Sequence, residues 1–125
     1  MLAGYGLTIS SLGYYPNPLH PDVDHRDTVI DHLQKVIKAA EMLEVPIVGT
    51  FIGKDKNKTV LQNFEDYARI WPPIVRFARE QHVKIAFENC SMLFSYDEWL
   101  GGNNLASIPA IWAGCGKSFR MKILV

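Results

Sequence analysis

The sequence predicts an α/β protein with a β-α-β-α-β core and parallel strands. Three observations carry this. Apolar, β-branched runs at residues 5–12, 45–52 and 83–87 recur at spacings of about 35–40 residues. The segments between them have helical periodicity, and helical crossovers between successive strands make a sheet parallel. The last run, Val83-Lys84-Ile85-Ala86-Phe87, ends in the carboxylate of Glu88. Packing needs no carboxylate there, and ligands of parallel α/β proteins gather at the carboxyl ends of strands.

Tyr5 to Leu12 reads as the first strand, closed by Gly13. The next stretch, Tyr14 to Asp22, holds Pro16, Pro18 and Pro21, which forbid a helix and stiffen a loop. A helix is predicted from Arg26 to Glu44, with Asp24 as its N-cap. Val29, Ile30, Leu33, Val36, Ile37, Ala40 and Leu43 form its apolar face. Val45 to Ile52 is a second strand, apolar on both faces as buried parallel strands are. Gly53 to Lys58 is a charged loop. Thr59 with Gln62 fits a capping box for a helix that turns Leu61, Phe64, Ala68 and Trp71 inward. Pro72-Pro73 should kink or restart that helix, with a second segment from Ile74 to Gln81 leading into the third strand.

The 125 residues suffice for one domain, and 13 basic side chains balance 13 acidic ones. That balance gives no electrostatic footprint for nucleic acid. Cys90 and Cys115 have no metal-binding or redox spacing, which fits a reducing compartment. No secretory leader and no apolar run near the ~20 residues of a membrane span is present, so a cytoplasmic protein is expected. Gly114-Cys115-Gly116-Lys117-Ser118 imitates the end of a phosphate loop, but Ile111 stands where its first glycine belongs.

Glu88 is the leading candidate, as a ligand for a divalent metal or as a group that moves a proton. Asn89 beside it either meets a substrate hydroxyl or turns the chain. Asn17 and His20 lie in the proline-rich loop, on the same side of a parallel sheet as Glu88. His25, His32 and His82 read as ordinary helix-associated side chains. Lys54, Lys56 and Lys58 read as a solvated loop.

Leu12-Gly13-Tyr14-Tyr15-Pro16-Asn17-Pro18-Leu19-His20-Pro21, Thr50-Phe51-Ile52-Gly53 and Ile85-Ala86-Phe87-Glu88-Asn89-Cys90-Ser91-Met92 resemble the sugar phosphate isomerase/epimerase family. That family belongs to the xylose isomerase-like barrel superfamily, which also holds endonuclease IV. Gly101 to Ala106 and Ser107 to Trp112 continue the resemblance. It implies a partial (β/α)8 TIM barrel over residues 1–112, with the three strands as the third to fifth of the barrel. It also implies a divalent metal (Mn, Mg, Co or Zn) held by a Glu, an Asp, a His and a second Glu. Glu88 matches the first of these, as metal ligand and as the base that moves a proton next to a sugar carbonyl. Asn17, His20, Phe51 and Asn89 would line the cleft for a sugar or polyol.

Residues 113–125 depart from the family pattern and read as an out-of-frame tail, since permitted codons shifted by one base restore family-like sequence. On this reading the chain is an internal piece of the parent enzyme. It is not expected to hold the metal or to turn over substrate alone, and its open sheet edges invite self-association. The rival readings are an endonuclease IV-like DNA repair enzyme, the non-catalytic product of a disrupted gene, or a small flavodoxin-like binding domain.

Overall fold

Three parallel strands form one sheet in the order β1 (Leu12–Gly13), β2 (Ile47–Thr50), β3 (Lys84–Phe87). Helices α1 (Val23–Met42) and α2 (Val60–Glu80) connect them. The computed structural model describes residues 2–90, 102–107 and 113. Strand order follows chain order, and both helices pack on one face of the sheet in a single core. In that core, Leu33, Ile37 and Ala40 of α1 and Tyr67, Trp71, Ile74 and Ala78 of α2 meet Val48, Ile52 and Phe87.

The first strand is shorter than the sequence suggests. Leu2–Tyr5 form a 3-10 turn, and only Leu12 and Gly13 pair, with Val48 and Gly49. The pairing continues one residue on, where the Tyr14 N–H donates to the Gly49 carbonyl at 2.9 Å.

Both helices differ in detail from their predicted forms. Asp22, not Asp24, caps α1, accepting from the His25 N–H at 2.8 Å, so the helix starts at Val23. The capping box of α2 is present: Thr59 accepts from the Gln62 N–H and Gln62 accepts from the Thr59 N–H. Pro72 and Pro73 lie inside one uninterrupted helix instead of dividing it. Anchors on both sides of the prolines hold it to the same sheet. The Trp71 Nε1–H donates to the Ile52 carbonyl at 3.0 Å, and its ring meets Phe87 edge-on at 4.6 Å. Ile74 and Ala78 continue the contact. The inward stripe is Asn63, Tyr67, Trp71, Ile74 and Ala78, so Leu61 and Ala68 face solvent, contrary to expectation. Leu43 of the predicted α1 face is also exposed.

Each helix ends in the same way. Glu44 and His82 adopt left-handed backbone angles, φ 56° and 58°. Behind Glu44, N–H groups of Glu44 and Val45 bond to Glu41 and Ala40. Behind His82, those of His82 and Val83 bond to Arg79 and Ala78. These are paired Schellman closures, each burying a valine against the alanine of the last turn. The left-handed region costs a non-glycine residue about 1–2 kcal/mol, part of which glycine loses again through its freer unfolded chain. Glu44→Gly and His82→Gly should therefore each stabilise the fold by about 0.5–1 kcal/mol. A rise in urea midpoint without change in slope is the expected reading; a fall would contradict the closure.

Candidate functional site

Parallel strands leave their carboxyl ends on one edge of the sheet, and three chain segments converge there on Gly53. From the β1 side comes Asn17, 7% exposed. Its Oδ1 accepts from the Lys54 N–H at 3.0 Å and the Leu19 N–H at 3.0 Å, and its Nδ2 donates to the Lys54 carbonyl at 2.8 Å. From beyond β3 comes Asn104, fully buried. Its Oδ1 accepts from the Gly53 and Ala106 N–H groups, and its Nδ2 donates to the Glu88 and Cys90 carbonyls at 3.1 and 2.7 Å. The Leu105 N–H donates to the Gly53 carbonyl at 2.9 Å. Gly53 sits at φ +85°, and a Cβ there would lie 2.2 Å from Asn17 Oδ1.

The face opposite the helices carries the candidate chemistry. Gly13, Gly49 and Ala86 stand side by side in register across the three strands. Side chains alternate along a strand, so the next row on this face is Tyr15, Phe51 and Glu88. The bare row gives Tyr15 room to lie back across the sheet: Cβ atoms on Gly13 and Gly49 would meet its ring at 2.8 Å and its hydroxyl at 3.1 Å. Its ring packs on Phe51 at 4.8 Å, and its hydroxyl lies over Gly49 on the face that carries the Glu88 carboxylate. Partial burial first, then the neighbouring Glu88 carboxylate and its charge, hold the Tyr15 hydroxyl above the usual phenol range. The Glu88 N–H donates to the Thr50 carbonyl at 2.9 Å, so the ladder continues through Glu88 while its side chain is exposed.

The residues singled out in the sequence thus divide. Glu88 and Phe51 share one row with Tyr15. Asn89 is exposed beside them. The amide of Asn17 is engaged with the loop backbone, which gives it a scaffold role. His20 lies apart, at the entry to α1: its Nδ1 accepts from the Asp22 N–H at 3.1 Å and its ring sits 4.4 Å from that of His25. Sequence reasoning passed over Tyr15, although its period-two spacing from Gly13 marks the face it occupies. It also passed over Asn104, which no local pattern distinguishes.

Behind the edge, the β2–α2 loop is fixed by buried polar groups. Asn63 accepts from the Asp55 N–H at 2.8 Å and donates to the Asp55, Lys58 and Thr59 carbonyls. Asp66 accepts from Lys58 at 2.5 Å and from Arg69 at 2.7 Å. Burial opposes the charge of Asp66, but the two cations outweigh it and hold its carboxyl below the usual carboxylate range. Among the described residues no three His, Cys, Asp or Glu side chains come together as a set that would hold a metal ion. Among the same residues, no helix is long and apolar enough to cross a membrane.

Strands in sequential order, both helices on one face and a carboxylate at the strand ends define a segment of a parallel β/α barrel. The sequence pattern of the xylose isomerase-like TIM barrel family matches residues 1–119, and the chain belongs to that family. It is similar in fold to the crystal structure of a "Putative Xylose isomerase" from Rhodospirillum rubrum, with a TM-score of 0.69 at 18% identity. That match covers 98% of this chain and 43% of the other, so the chain spans less than half of its neighbour's length. Among curated proteins no relative matches the sequence.

Two predictions follow from the edge and the loop behind it. Gly53→Ala forces a methyl group onto Asn17 and Pro18 in a left-handed backbone, and should cost at least about 2 kcal/mol by urea unfolding. A loss below ~0.5 kcal/mol would mean the junction rearranges freely. Asp66 has a depressed folded-state pKa, so its stabilisation is complete above the unfolded value near 3.9 and fades as pH falls through the folded value. Asp66→Asn should thus lower the urea midpoint at pH 7, with the gap to wild type narrowing as the solution is acidified toward pH 3. A gap that stays constant with pH would assign the effect to packing.

Proposed function

We propose that this chain is the central part of a metal-dependent sugar or sugar phosphate isomerase or epimerase, with Glu88 as the group that moves the proton. The observation that carries the reading is the position of Glu88. It stands at the carboxyl end of a barrel strand, on the open face, beside two aromatic rings. Family membership supports the class of reaction. The name of the structural neighbour points the same way.

In this reaction a Glu88 oxygen takes a proton from the carbon next to the substrate carbonyl. The C–H bond breaks, an O–H bond forms on Glu88, and the released electron pair moves toward the carbonyl oxygen as an enediolate. Protonation of the same carbon from its other face, by a second acid outside the described residues, inverts it. Return of the Glu88 proton to the neighbouring carbon, with the hydroxyl proton passing to the former carbonyl oxygen, moves the carbonyl. In this reading Phe51 and the Tyr15 ring would form an apolar wall beside that carbon, and Asn89 would meet a hydroxyl. A divalent cation that stabilises the enediolate would take Glu88 as one donor and draw its other donors from outside the described residues.

The test is deuterium exchange from D2O into a panel of aldoses, ketoses and polyol-derived ketones, followed by NMR. It is run on the whole protein that carries this segment, with Mn²⁺ or Mg²⁺ present. Exchange next to the carbonyl is expected, and Glu88→Gln should lower it by about 10²–10⁴-fold. No exchange in any sugar, or exchange indifferent to Glu88→Gln, would overturn the reading. Nicking of abasic DNA in its place would assign the protein to DNA repair.

A further inference from the structure

The row of small residues on the open face is the least explained feature of the sheet. Glycine within a strand weakens it and often marks a close approach. Here two glycines, Gly13 and Gly49, stand in register on adjacent strands, and neither has a backbone angle that requires glycine. What they admit is Tyr15. Its ring lies across Gly13 and its hydroxyl lies over Gly49, beside Ala86 and one row before Glu88 on the same face. A methyl group at either position would lie within 2.8–3.1 Å of the Tyr15 side chain.

We infer that Tyr15 is the positioning residue for Glu88, and that Gly13 and Gly49 are kept bare so that its hydroxyl can reach that carboxylate. This rests on the reading of Glu88 as the proton-transfer group. An exposed glutamate at a strand end has free rotamers, whereas a proton acceptor must be held near one geometry. The pinned backbone of Glu88 fixes its Cα through the bond to Thr50. The Tyr15 hydroxyl, arriving from the segment after β1, would then hold the carboxylate from one side and limit its rotamers. Phe51 on the intervening strand backs the tyrosine ring at 4.8 Å and limits its swing.

The geometry makes Gly49→Ala and Tyr15→Phe two routes to one loss. The first pushes the hydroxyl away, and the second removes it while keeping the ring. The experiment is NMR on the 125-residue chain at pH 7, with glutamate labelled at its side-chain carboxyl carbon. Wild type should show nuclear Overhauser contacts between the Tyr15 ring and Glu88. Tyr15→Phe and Gly49→Ala should each move the Glu88 carboxyl resonance, and the double variant should move it no further than Tyr15→Phe alone. Backbone amide spectra of β2 and β3 away from the site should stay in place for Tyr15→Phe, which separates positioning from folding. An unmoved Glu88 signal in Tyr15→Phe, or additive shifts in the double variant, would overturn the inference. In the exchange assay Tyr15→Phe should lower kcat by about 10–100-fold with KM little changed. An effect confined to KM would also overturn it. Failure of Glu88→Gln to lower exchange would instead remove the reading of Glu88, leaving the measured Tyr15–Glu88 contact standing.

Discussion

The carboxyl edge of this sheet depends on how Gly53 is held between two buried asparagines. Strand ends are where backbone pairing stops, and loops leaving them would each need their own partners. Asn17 and Asn104 supply these partners by standing in for backbone: each amide offers a donor and an acceptor to neighbouring chain. Asn17 pairs with both polar groups of Lys54. Asn104 reaches the Gly53 N–H on one side and the Glu88 and Cys90 carbonyls on the other. Three loops that share no strand register are thereby placed relative to one another. The position of Glu88 follows from its own ladder bond to Thr50 and from the Asn104 amide on its carbonyl.

That clasp explains why an exposed carboxylate can still be well placed. Its side chain is open to solvent, while its backbone is fixed from both directions. The two faces of the sheet divide the work. Val48, Ile52 and Phe87 point into the helix layer and hold α1 and α2. Gly13, Gly49 and Ala86 point the other way and carry no bulk of their own. Because side chains alternate, bulk on one face and bareness on the other are independent choices along the same strand.

Much of this was legible in the sequence, for physical reasons that also mark where legibility ended. The strands around Val48 and Ile85 and the two helices showed in their periodicity, because burial of a continuous stripe leaves a mark at fixed spacing. The Thr59–Gln62 capping box showed because both partners lie within one turn. Glu88 showed because a charge ending an apolar run has no packing rationale. The inward face of α2 was misplaced by part of a turn. Its stripe begins with Asn63, a polar residue buried by hydrogen bonds to the loop before it, which hydrophobic periodicity cannot count. Residues 5–11 had the composition of a strand but stay outside the ladder, which composition alone does not record. Asn104 acts on residues 14 to 51 positions away, a distance over which sequence pattern carries no signal.

The helix layer and the open face also differ in what they require. Trp71, Tyr67 and Phe87 complete a core whose members all lie within the described residues. Tyr15 on the other face stays partly exposed, as do Tyr5, Leu7 and Ile9 in the segment before β1. A barrel buries that face by closing the sheet on itself, and the structural neighbour has more than twice the length over which to do so. Closure would surround Glu88 and its tyrosine with low-dielectric walls. A hydrogen bond to a carboxylate is worth far more there than at a surface open to water. The Tyr15–Glu88 contact is therefore weakest in the open sheet and gains strength as the face is covered, which ties the chemistry of this edge to the completion of the barrel around it.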